Sequence, residues 1–125
     1  MNYIAQSWKA LLVTAALTLP SLTFAADPAM MKDGMMVDHK GMTLYTFDKD
    51  KEGKSMCMGE CATNWPPLMA PMDAKPTGDW TPIKRDDGTM QWAYKGKPMY
   101  GYKMDKKPGD TEGEGKGGFW HMYRH

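Results

Sequence analysis

Tyr45-Thr46-Phe47-Asp48-Lys49-Asp50 returns 55 residues later as Tyr100-Gly101-Tyr102-Lys103-Met104-Asp105. Both strings read Tyr-x-aromatic-x-x-Asp, and both follow a Lys-Gly step, Lys40-Gly41 and Lys95-Gly96. The same offset aligns Leu44 with Met99 and Lys51 with Lys106. The likeness spans a strand and its flanking turns, so the chain reads as a duplicated module. Strand alternation sets Tyr45 and Phe47 on one face against Leu44 and Thr46, and Tyr100 and Tyr102 against Met99 and Gly101. Two aromatic pairs placed in this way can pack across a pseudo-twofold core. Asp50 and Asp105 fall where the chain leaves the strand, where a carboxylate accepts turn amide hydrogens or a Tyr hydroxyl. A scaffold role is the first reading of the motif, and a ligand site in each repeat is the alternative.

Outward from the motif the chain reads as short strands, over 35–38, 43–48, 80–85, 90–94, 98–103 and 119–123, each bounded by Gly, Pro or Asp. The expected fold is all-β: a small single domain of two related β-hairpin modules. Repeat one covers about 34–64 and repeat two about 80–123. Asp38-His39-Lys40-Gly41 and Tyr94-Lys95-Gly96-Lys97 occupy equivalent turns, and Asp87-Gly88 turns a third hairpin. A Pro-rich connector runs from Trp65-Pro66-Pro67 to Pro76, and the Gly-rich stretch 109–118 reads as a mobile surface loop.

Residues 1–25 have the form of an export signal: Lys9 before an apolar run over 10–22, then Thr23-Phe24-Ala25 as a small-x-small cleavage site. The run is shorter than the roughly 20 residues a bilayer requires, so no membrane span is expected once the signal is cleaved. The expected product, 26–125, is periplasmic or secreted, and no Cys stands at the cleavage site to take a lipid. Without Lys9 the 16 basic residues become 15, against 15 acidic ones. That balance argues against nucleic acid or anionic lipid as partner. After the signal, the branched aliphatics are Val37, Leu44, Leu68 and Ile83, beside eleven aromatics and thirteen Met. Aromatic rings bury about 150–250 Å² each, so the interior is expected to be Trp, Tyr, Phe and Met.

The order Gly-x-Thr-Leu-Tyr-x-Phe-x-x-Asp over 41–50, Lys-Ser-x-Cys-x-Gly-x-Cys-Ala-x-x-Trp-Pro-Pro-Leu over 54–68, Arg-Asp-Asp-Gly-x-x-Gln-Trp-Ala-Tyr-Lys-Gly-Lys-Pro-x-Tyr over 85–100 and Trp120-His121 resembles the secreted-repeat family. Its members are also described as predicted lipoproteins with the Tyr-x-(Phe/Trp/Tyr)-x-x-Asp motif. The resemblance implies an exported bacterial envelope protein of unassigned biochemical role. Two departures stand out: the absent lipid-attachment Cys, and Met at 35, 36 and 99 where relatives often carry aliphatics.

Cys57 and Cys61 lie four residues apart, about 6 Å between Cα atoms on a helical turn, and an exported protein favours their disulfide. The spacing excludes covalent haem, which needs C-x2-C-His. A redox-active pair and a thiolate metal site are the alternatives. The methionines cluster as Met30-Met31, Met35-Met36 and Met42 around His39, with Met56 and Met58 beside the cysteines. Thioethers with imidazole suit Cu(I), whereas core filling and an oxidant sink are the blander readings. Asp48-Lys49-Asp50-Lys51-Glu52-Gly53 matches half of a calcium loop, but Gly59 stands where the closing Glu belongs. Ser55 is the one Ser after the signal and has no His near it in sequence, so no enzyme is expected. The functional expectation is an exported envelope protein of unassigned biochemical role that binds a soft metal such as Cu(I), copper being held by some of Met30, Met31, Met35, Met36 and Met42 with His39. The alternative is a structural or interaction module that meets an envelope glycan or partner protein through aromatic faces. In either case a monomer with an unidentified envelope partner is expected.

Overall fold

The structure, a computed structural model, describes residues 27–124. The export signal and its cleavage site lie outside the described residues. Among the described residues, eight short strands form three antiparallel sheets, accompanied by one short α-helix and one 3-10 turn, Lys116–Gly118. The mostly-strand, almost helix-free architecture is that of a small all-β protein.

Strands β1 (Ala29–Lys32) and β2 (Met35–Asp38) make the first hairpin. Asp33 and Gly34, at φ 53° and 83°, form its two-residue turn with positive φ at both positions, the geometry that matches strand twist. β1 precedes the strands read from sequence, because Ala29-Met30-Met31-Lys32 carries no β-branched or aromatic residue to announce it. β5 (Trp80–Lys84) and β6 (Met90–Tyr94) make the corresponding hairpin of the second half. Pro82 is accommodated because β5 is an edge strand. β7 (Lys97–Pro98) returns along β6 through Lys95-Gly96, again with positive φ at both residues. The Pro-rich connector is not wholly irregular: β4 (Met69–Ala70) pairs with the other edge of β6.

The two halves exchange their closing segments. β3 (Tyr45–Phe47), from the first repeat, pairs with β8 (Trp120–Met122), from the second, placing Tyr45 opposite Met122 and Phe47 opposite Trp120. Shifted by 55 residues, the same arrangement places Tyr100 opposite Pro67. The hydrogen bonds repeat as well. Asp48 N donates to Phe119 O at 2.8 Å and Lys103 N to Asn64 O at 2.9 Å; Tyr123 N donates to Leu44 O at 3.1 Å and Leu68 N to Met99 O at 2.9 Å. At the centre, Tyr45 and Tyr100 exchange both backbone bonds, at 2.7 and 2.9 Å, so this pair marks the pseudo-dyad.

The central strands divide two cores. Leu44 and Met99 face one, with Ala29, Met36 and Trp80. Tyr45 and Tyr100 face the other, with Cys57, Trp65 and Trp120. Neither core holds many aliphatics, and aromatic area replaces them. The Gly-rich stretch 109–118 is fastened down, contrary to its reading as a mobile loop. Gly113 is buried, and a Cβ there would stand 2.8 Å from the Trp65 ring and 3.0 Å from Tyr45. Glycine is needed there for close approach, not only for flexibility.

Candidate functional site

The motif residues form two interlocked bonds across the repeats. Tyr45 Oη donates to Asp105 Oδ2 and Tyr100 Oη to Asp50 Oδ2, both at 2.7 Å. Each carboxylate spends its other oxygen on a turn amide, Asp105 on Glu112 N and Asp50 on Met56 N. Each Tyr oxygen accepts in turn: Tyr45 from Gly113 N at 3.1 Å, Tyr100 from the Ser55 hydroxyl at 2.6 Å. Both Tyr side chains are fully buried. Burial, foremost, and the neighbouring carboxylate push both phenols far above their ordinary range, which keeps them neutral donors. Burial also raises Asp50, against the opposing pull of the Met56 amide, the Tyr100 hydroxyl and the Arg85 charge. The hydroxyls of both Tyr and the carboxylate of Asp105 are withdrawn from solvent with these bonds made, and Asp50 is part-buried.

Beside them the remaining motif rings, Phe47 and Tyr102, join Trp65 and Trp120 in a four-membered stack in the order Tyr102, Trp65, Trp120, Phe47. The centroid distances along it are 4.1, 3.8 and 4.2 Å. Trp65 and Trp120 are 55 residues apart, as are Phe47 and Tyr102, so the pseudo-dyad passes between the two indoles. Tyr45 meets Trp65 edge-on at 5.4 Å and Tyr100 meets Trp120 edge-on at 5.2 Å, again as a related pair. Such contacts contribute about 0.5–1.5 kcal/mol each beyond area burial. The indole stack was legible in the 55-residue offset of Trp65 and Trp120, but the Pro66-Pro67 run made Trp65 read as part of a connector.

An open groove of about 510 Å³ lies over this stack, a volume within the usual range for small-molecule sites. Its floor is Trp65, Trp120 and Tyr102, and its rim is Phe119, Met104, Lys103 and Lys116. Phe119 is 41 % exposed and Met104 49 %. The groove draws on both repeats: Trp65 and Asn64 from the first, the remainder from the second.

Cys57 and Cys61 are disulfide-bonded, with Cα atoms 5.3 Å apart, and no free cysteine is present among the described residues. Cys61 sits on α1 (Glu60–Asn64), the turn that delivers Trp65 to the stack. The methionines proposed for copper are divided. Met31 and Met36 are opposite one another in the β1–β2 register and face the first core, where Met36 is buried. Met30 pairs with Val37 and Met35 with Lys32, on the other face. Met42 is half-buried, and His39 is exposed with Nε2 bonded to Asp27 O. The hairpin therefore does not bring the six residues to one point. Asp48 and Asp50 of the calcium-like string bond His121 and Tyr100 instead. Sequence reading also missed Arg85, buried and donating to Ser55 Oγ, Gln91 Oε1 and Cys57 O. It closes the expected strand over 80–85 next to the Asp87-Gly88 turn, where a charged side chain is ordinarily solvated.

The geometry defines a small β protein made of two exchanged repeats, with an aromatic surface where they meet. A family described as a secreted repeat of unknown function matches residues 29–69 and 81–123, and the chain belongs to it. Its placement is thus periplasmic or secreted. No curated protein and no solved structure matches the chain.

Proposed function

We propose that this protein is a non-catalytic binding module of the envelope that holds a glycan in the aromatic groove, while the duplicated motif serves as scaffold. The observation that carries the reading is the contrast between motif and groove. Tyr45, Tyr100 and Asp105 are buried and Asp50 part-buried, all four engaged in the motif's own hydrogen bonds, whereas Phe119 and Met104 stand half-exposed over a cleft of ligand size. Amphipathic sugar rings suit such a surface, because an apolar C–H face can lie against the exposed Phe119 ring while hydroxyls stay wet. Ser55 does not suit catalysis: it is buried and bonded to Tyr100 and Arg85.

Intrinsic Trp fluorescence tests this directly, since two of the four tryptophans outside the export signal floor the groove. Soluble oligosaccharides released from bacterial cell-wall glycan should change the emission saturably, and Phe119→Ser should abolish most of the response. No saturable change, or one that Phe119→Ser leaves intact, overturns the reading.

Copper is the second reading, on a smaller ligand set than the sequence suggested. Met30 and Met35 share the face of the first hairpin opposite Met31 and Met36, and Met30 is 52 % exposed. Thioethers bind Cu(I) without deprotonation. Competition with a Cu(I) chelator, on the wild type and on Met30→Leu/Met35→Leu, decides it: equal weak uptake by both leaves these methionines without a metal role.

A further inference from the structure

We infer that the groove selects a carboxylated sugar over a neutral one; this rests on the glycan reading above and specifies its substrate class. Three lysines surround the groove. Lys103 and Lys116 line it, Lys116 Nζ lying 6.0 Å from the Tyr102 ring centroid. Lys49 Nζ lies 4.3 Å from the centroid of Phe119, the exposed rim ring. No acidic side chain lines the groove among the described residues. The two nearby acids on the β3–β8 side, Asp48 and Glu114, are engaged by His121.

The rings add to the same preference. Trp65 is covered on one face by Tyr102 and on the other by Trp120, and Trp120 by Trp65 and Phe47. With both faces occupied, the indoles can present only their edges, and a ring edge carries the positive end of the aromatic quadrupole. Lysines and ring edges together make a locally positive, partly apolar cleft. This positive character is local: beyond the export signal the chain balances 15 basic residues with 15 acidic ones. A nucleic acid or polyphosphate needs a broad basic surface, whereas a single carboxylate on a sugar ring needs two cations and one ring to lie on. Carboxylated amino sugars meet that description.

The test compares two probes on the full exported protein: an N-acetylmuramic-acid-containing disaccharide, and the same disaccharide with its carboxyl amidated. Charge-assisted contacts are about twice as strong as neutral ones, so the acid should bind about tenfold more tightly, and added salt should erode that margin. Lys103→Gln/Lys116→Gln should abolish the difference, so that acid and amide bind with equal affinity. Equal binding of both sugars by the wild type overturns the acid preference while the groove reading stands. An acid preference that survives the double Gln variant also overturns it, because the carboxylate is then read elsewhere. Binding of neither sugar, with Trp emission unmoved, overturns the groove reading itself. Tighter binding of inorganic polyphosphate than of the acid sugar overturns the inference in favour of general anion attraction.

Discussion

Arg85 carries a full charge into the interior, and each of its bonds goes to a neutral acceptor: Ser55 Oγ, Gln91 Oε1, Cys57 O and Met58 Sδ. Ser55 passes the connection to Tyr100 and Tyr100 passes it to Asp50, so a buried positive and a part-buried negative group end one chain of hydrogen bonds. The related bond of the other repeat, Tyr45 to Asp105, is completed by backbone amides of residues 112 and 113 instead. Duplicated residues thus retained one bond and acquired different surroundings. None of this was legible in the linear chain, because an Arg next to two Asp in a turn is ordinarily solvated. His121 bonds Asp48 and faces Glu114, and the Asp48 bond, first among the causes, raises its pKa above 6.5. A raised pKa stabilises the fold fully below the unfolded value and loses that contribution as pH rises through the folded one. His121→Gln should therefore melt below the wild type at pH values under 6.5, and the gap should close as pH rises. The effect is small because the pair is solvent-exposed. Thermal melts of both proteins across that range check it, and a gap that widens with pH contradicts the assignment.

At the scale of elements, strands and repeat were readable because their signals are local. Alternation, Gly turns and a 55-residue offset need no knowledge of who pairs with whom. The exchange of β8 and the 65–67 segment was not readable, since pairing between distant segments leaves no mark in a short window. The loop 109–118 shows the same limit. Its glycines and acids suggest a solvated tether, yet Glu112 and Gly113 donate to the motif pair, and Glu114 accepts from Met122 N. Gly113→Ala should destabilise by about 1–3 kcal/mol, the usual cost of forcing atoms into a filled interior, because the added methyl meets two rings at once. Chemical denaturation measures the loss. Gly109→Ala is not a suitable control despite its open surroundings, because its φ of 94° strains any side chain. Lys107→Ala, at an exposed neighbouring position, should stay within about 0.5 kcal/mol of wild type.

The whole molecule behaves as two half-chains that complete one another. Each repeat contributes its closing strand, its Trp and its Asp to the other, so neither has a finished core alone. The segment joining them, 71–79, makes few of these contacts, and Met72 within it is 69 % exposed. A protease site placed at Met72 should therefore be cut without parting the halves. The nicked protein should elute as one species in native buffer and separate only in denaturant, with the disulfide inside the first half throughout. Separation in native buffer would mean that the connector, not the exchange, holds the repeats together.

The reciprocal Tyr–Asp bond is the centre of this account, and double-mutant cycles test it. Tyr45→Phe and Asp105→Ala should each cost about 1–3 kcal/mol, because each leaves a buried polar partner unsatisfied. Combined, they should cost less than their sum by about 0.5–3 kcal/mol, the coupling of two groups in contact. Tyr45→Phe with Asp50→Ala, the pair within one repeat, should add nearly independently. Strong coupling within the repeat and none across it would contradict the interlocked fold.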